Sequence, residues 1–152
     1  RAWEDVQAAV EILKSSPADA PANAVVGRYR CLIKEEWQVG LPMLALSNDT
    51  VLQKLAEREL RGTSLSSEQL TLADDWYEAA KNASEMEQPA MYRRARGHYQ
   101  RVLPSLKALQ QRRVELRIAE ALAEFRRDEP TRDSEAPPQS PPCPCARVPG
   151  SG

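Results

Sequence analysis

The chain has 152 residues, 41% of them hydrophobic and 28% charged, with 21 Lys and Arg against 22 Asp and Glu. That size holds one domain with room for a tail, and the balanced charge excludes a polycation. No apolar run approaches the ~20 residues of a membrane helix, so no membrane insertion is expected. Few β-branched residues argue against an all-β fold. The chain begins at Arg1 and shows no charged-then-apolar leader, and a fragment or processed product of something longer is expected.

Apolar residues recur at spacings of three and four, the period of a helix. Trp3, Val6, Val10 and Leu13 form one face of a first helix, and Ser15, Ser16, Pro17, Asp19 and Pro21 interrupt it. A second helix is expected from Ala22 to Lys34, with Val25, Val26, Tyr29, Leu32 and Ile33 inward. A short third helix runs from Trp37 to Leu46, with Pro42 near its start or at a bend. Ser47, Asn48 and Asp49 offer cap chemistry for a fourth helix, Thr50 to Leu60, and Gly62 is its stop. Ser66 and Gln69 have the spacing of a capping box and open a fifth helix bearing Leu70, Ala73, Tyr77 and Ala80. A sixth starts near Pro89 and carries Ala95, Tyr99, Val102 and Leu103, with Pro104 bending or ending it. Val114, Ile118, Leu122 and Phe125 define a last helix.

Beyond Phe125 the pattern changes. Seven of the twelve prolines lie there, with Pro137-Pro138, Pro141-Pro142 and Cys143-Pro144-Cys145. Residues 126–152 therefore read as a disordered, Pro-rich tail, and residues 1–125 as the helical-repeat domain.

Two stretches match. Trp37-Gln38-Val39-Gly40-Leu41-Pro42-Met43-Leu44 and Tyr99-Gln100-Arg101-Val102-Leu103-Pro104-Ser105-Leu106 share aromatic-Gln-x-x-Leu-Pro-x-Leu, 62 residues apart. Helical self-similarity of this kind marks a stacked array. Small residues such as Gly27 and Ala73 would let paired helices approach. Tyr29, Trp37, Trp76 and Tyr99 would fill the space between pairs. The strict ~34-residue tetratricopeptide pattern is absent.

Pro17 through Phe125 carries a longer pattern. It includes Ala22-Asn23, Val26-Gly27-Arg28-Tyr29, Trp37-x-x-Gly40-Leu41-Pro42-x-Leu44-Ala45 and Leu55-Ala56-Glu57. It continues with Leu72-Ala73-Asp74-x-Trp76-Tyr77, Ala95-x-x-x-Tyr99-x-x-x-Leu103-Pro104-x-Leu106, Val114-Glu115 and Arg117. This resembles a helical segment that recurs in large multidomain proteins of planctomycete-type bacteria and is similar to tetratricopeptide-like arrays. The resemblance implies stacked helical hairpins inside a larger protein and carries over no catalytic residue. The sequence departs from the pattern in its basic sixth helix, Arg93-Arg94-Ala95-Arg96, and in its Pro/Cys tail.

Catalytic chemistry finds little support. His98 is the only histidine, without an evident orienting partner or nucleophile, and reads as a surface or helix-flank residue. Cys31 reads as a core or boundary thiol. Cys143 and Cys145 are two thiols where a zinc site needs four ligands. Glu35-Glu36 and Asp74-Asp75 are neighbours on helices and so point about 100° apart, not across one cleft. No catalytic, cofactor or metal residues are assigned.

Charge is the remaining signal. Residues 92–118 hold eight bases against Glu115, and residues 49–91 hold nine acids against four bases. Helix pairing against helix accounts for this first. An acidic protein partner at Arg93, Arg94, Arg96, Arg101, Arg112 and Arg113 comes second, and a nucleic-acid backbone third. The expectation is an all-α array of stacked hairpins, about six to seven helices, with a disordered C-terminal tail. It would serve as a non-enzymatic scaffold or protein-interaction module. A polyanion-binding module using residues 93–117 and a structural spacer are the alternatives.

Overall fold

The computed structural model describes the backbone of residues 2–128 and the side chains of residues 2–123. Among them, seven α-helices and no strands make an all-α fold: α1 (Ala2–Ser15), α2 (Ala20–Arg28), α3 (Trp37–Ala45), α4 (Thr50–Arg61), α5 (Ser66–Lys81), α6 (Gln88–Val102) and α7 (Ala108–Asp128). Each helix packs on the next across a short connection. The expected tail, 126–152, lies almost wholly outside the described residues; α7 carries the helix to Asp128, past the expected boundary at Phe125.

The punctuation residues set most boundaries. Asp19 caps α2 by accepting from the Ala22 N–H at 2.8 Å, and Pro21 sits in the first turn. Asp49 accepts from the N–H groups of Val51 and Leu52 at the start of α4. Gly62 ends α4 at φ 67°, a left-handed value that favours glycine. The Ser66–Gln69 capping box does not form. Leu65 occupies the cap position without a side-chain bond. Gln69 instead donates to the Thr63 carbonyl at 2.8 Å, and Thr63 Oγ1 accepts from the Leu65 N–H. Thr63, one turn earlier, organises this entry.

After α2 the chain widens into a π-helical turn, Tyr29–Ile33, closed by Lys34 N–H to the Tyr29 carbonyl at 3.0 Å. Glu35 then stops it at φ 57°. The wider turn changes the phase of the side chains. Cys31 and Leu32 are both buried, whereas Ile33, expected inside, is 42% exposed. Val25 also faces outward, because Ala22, Asn23, Val26 and Gly27 form the inner face of α2.

The segments α2 and α3 cross in contact. A Cβ on Gly27 would lie 3.0 Å from the Leu44 backbone nitrogen, and one on Gly40 would run into Cys31 Sγ. Pro42 sits inside α3 without ending it. The second copy of the Leu-Pro motif behaves differently. Tyr99–Val102 finish α6, and Leu103–Ser105 form a 3₁₀ turn. One copy opens a helix and the other closes one, so the two are not equivalent in the fold.

One apolar core runs from Cys31 to Ala121, with Trp76, Tyr99 and Leu44 fully buried. Trp37 meets Trp76 edge-on at 5.5 Å between ring centroids. A second, small cluster of Ala9, Ala22 and Val26 seats α1. Trp3 stays half exposed and leans on Tyr29, ring centroids 5.6 Å apart.

Candidate functional site: the groove between the fourth and fifth helices

The charges sort into three internal hubs. Glu59 on α4 is the first. Its Oε2 accepts from Trp76 Nε1 at 3.0 Å and lies 3.1 Å from His98 Nε2, and its Oε1 pairs with Arg94. Arg94 also lies over the Trp37 ring, 4.6 Å from its centroid. His98 is therefore buried, not a surface residue as its polarity suggested, and its partner is Glu59. Burial, with Arg101 and Arg94 close by, pushes its pKa from 6.5 down to about 4. The neutral imidazole donates from Nε2 to the carboxylate, which fixes its tautomer.

Asp74 on α5 is the second hub. It accepts from Tyr99 Oη at 2.6 Å, from Arg117 at 2.5 Å and from Arg113 at 3.2 Å. Tyr77 donates to Glu120 at 2.7 Å. These bonds fasten α7 to α5 and α6. Burial and the carboxylate to which each donates push both tyrosines upward, so both phenols remain protonated donors. Arg28 is the third hub. It grips Glu87 through two bonds of 2.9 and 2.7 Å and Asp49 through one of 2.6 Å. Asp74 and Asp75 do diverge as helix geometry requires. Asp74 turns to α6 and α7, and Asp75 turns to Arg58 on α4.

The six candidate arginines separate accordingly. Arg93 pairs with Glu35, Arg94 with Glu59 and Arg113 with Asp74. Arg96 is half-buried on α6. Arg101 is exposed and reaches back to the Gly97 carbonyl. Arg112 is exposed, 3.8 Å from Glu115 on its own helix. Three of the six are thus engaged with carboxylates of other elements. Cys31 is fully buried, and burial lifts its thiol to about 12, where a thiolate is scarce at neutral pH. Among the described residues no three His, Cys, Asp or Glu side chains converge as a metal cage would require, and no helix is long and apolar enough to cross a membrane.

The open feature lies elsewhere. Where α4 meets α5, clefts follow one another along both helices, from Val51 and Asn82 at one end to Gly62 and Glu68 at the other. The largest has a volume of about 520 Å³. Lys54, Arg58 and Arg61 give the α4 wall a basic bias beside Glu57. Glu68, Asp75 and Glu78 make the α5 wall acidic. Leu55, Leu72 and Ala79 lie at the floor. Arg58 and Asp75 bridge the walls as a partly exposed ion pair. This groove is not legible in the sequence. Its only sequence signal is opposite charge on two successive helices, which looks the same as an internally neutralised pair.

No family model, no curated protein and no solved structure matches this chain.

Proposed function

We propose that this chain is a non-enzymatic protein-interaction module that takes a peptide segment of its partner along the α4–α5 groove. The observation that carries the reading is the groove itself: an apolar floor between walls of opposite charge. It suits a segment with acidic side chains toward Lys54, Arg58 and Arg61 and basic ones toward Glu68, Asp75 and Glu78, its apolar side down. The non-enzymatic part rests on the sealing of Cys31 and the engagement of His98 by Glu59. Engagement of Arg93, Arg94 and Arg113 with carboxylates weighs against a polyanion surface on residues 93–117. A place in a tetratricopeptide-like array within a larger bacterial protein follows from the sequence resemblance and belongs to the same proposal.

A random-peptide display library selected against the full chain tests it. Val51 is 56% exposed and Lys54 is exposed, so both can be changed without disturbing the core. Enriched peptides should lose binding to Val51→Glu and Lys54→Glu. Selection that enriches nothing, or peptides indifferent to both substitutions, would refute the reading.

A further inference from the structure

The α7 helix closes the described array, and its inner face is fully used. Val114 and Ala121 are buried, Ile118 packs on the core, and Arg113 and Arg117 bond Asp74. Its opposite face carries another apolar line. Leu109 is 85% exposed and Leu116 50% exposed, and Ala123 is also exposed. These three stand seven residues apart. At 100° per residue they drift only about 20° per step and form one stripe at seven-residue spacing. An end helix in a stacked array normally turns a polar face outward.

We infer that this stripe pairs with the same stripe of a second copy of the chain, the two α7 helices antiparallel across a two-fold axis at Leu116. Leu116 meets its own copy. Leu109, large, falls opposite Ala123 of the other copy, small, which lets the helices interdigitate. On one flank Arg113, half exposed and bonded to Asp74 of its own chain, falls beside Glu120 of the other copy, which accepts from its own Tyr77, and the symmetry repeats that opposite-charge pair. On the other flank Arg112 lies over Ala119 of the other copy and adds no like-charge clash. The seam is short, about 21 Å from Leu109 to Ala123 at 1.5 Å per residue. It falls below a standard interface, so the pairing is weak and shows only as the concentration rises. This surface is separate from the α4–α5 groove, and the two ideas stand or fall independently.

Sedimentation equilibrium of the full chain, with reductant to keep Cys143 and Cys145 from cross-linking, tests the pairing. Between about 5 and about 500 µM the apparent mass should climb from 17.0 kDa toward twice that value. Leu116→Glu puts two carboxylates on the axis at an exposed site. It should weaken association by roughly tenfold or more while circular dichroism stays unchanged. Ala123→Trp separates specific pairing from general stickiness. A large group opposite Leu109 weakens the two-fold pair, whereas it would strengthen an unspecific apolar patch. A monomer at every concentration overturns the inference, as does a dimer indifferent to Leu116→Glu or strengthened by Ala123→Trp.

Discussion

Two junctions between consecutive helices differ in kind. Where α2 and α3 cross, Gly27 and Gly40 bring backbone against backbone, with room for no Cβ at Gly40 without displacing Cys31. Where α4 and α5 meet, Arg58 and Asp75 span a line of clefts, and the deeper contact is made by Glu59 with Trp76 and His98. Removing side chains draws helices together and leaves no room for a ligand. Long charged side chains hold them apart, and the space between them stays lined by groups that can change partners. Rigidity and receptivity are thus assigned to different crossings by residue size.

The largest expected effect lies at the closed crossing. Gly40→Val would force two methyl groups toward Cys31 and Arg30, and overpacking of this kind should cost about 3 kcal/mol in urea unfolding. A variant as stable as the parent would show that α2 and α3 can part freely. Beneath the groove the expected effect is smaller and depends on pH. His98 titrates near 6.5 in the unfolded chain and near 4 in the fold. The unfolded state therefore binds the proton first, and acid favours it. His98 contributes its full share above about pH 6.5 and loses it as pH falls toward 4, on the order of 2 kcal/mol. Comparing urea midpoints at about pH 7 and about pH 4.5, the parent should lose more stability than His98→Gln. Equal losses would mean that burial beside Arg101 and Arg94 does not keep the proton off His98. The smallest effect belongs to the open crossing. Asp75→Asn removes a partly exposed ion pair and should cost below about 1 kcal/mol. Peptides selected on the parent should nevertheless change affinity for it. A loss of several kcal/mol would make Arg58–Asp75 a structural strut and not a replaceable bridge.

The helices were legible because their start and stop signals are local. Asp49, Gly62 and Pro89 act on their own turn, and the structure uses them where the sequence places them, whereas Asp19 and Pro21, expected only to interrupt, cap and open α2. The π-helical turn at Tyr29–Ile33 was not legible, because it adds a residue to the turn without altering composition, and Ile33 changed face as a result. The Leu-Pro repeat misled for a related reason. Pro42 and Pro104 share neighbours, but one lies within a helix that begins at Trp37 and the other in the turn that follows α6. Charge blocks showed that acids and bases would meet, and they do so at Glu59–Arg94 and at Asp74 with Arg113 and Arg117. Which acid meets which base is tertiary information. Glu59 and His98 are 39 residues apart, so no window along the chain joins them. The groove was hidden for the same reason: its two walls are seen only once α4 and α5 are set side by side.

Gly40 also makes a timekeeper of the cysteine beneath it. Cys31 lies under the α2–α3 crossing with no exposed surface. An alkylating reagent reaches its sulfur only while that crossing is open. The labelling rate at Cys31 therefore counts openings of that junction. Measured with and without a peptide in the α4–α5 groove, it reports whether an event at the receptive junction is felt at the rigid one.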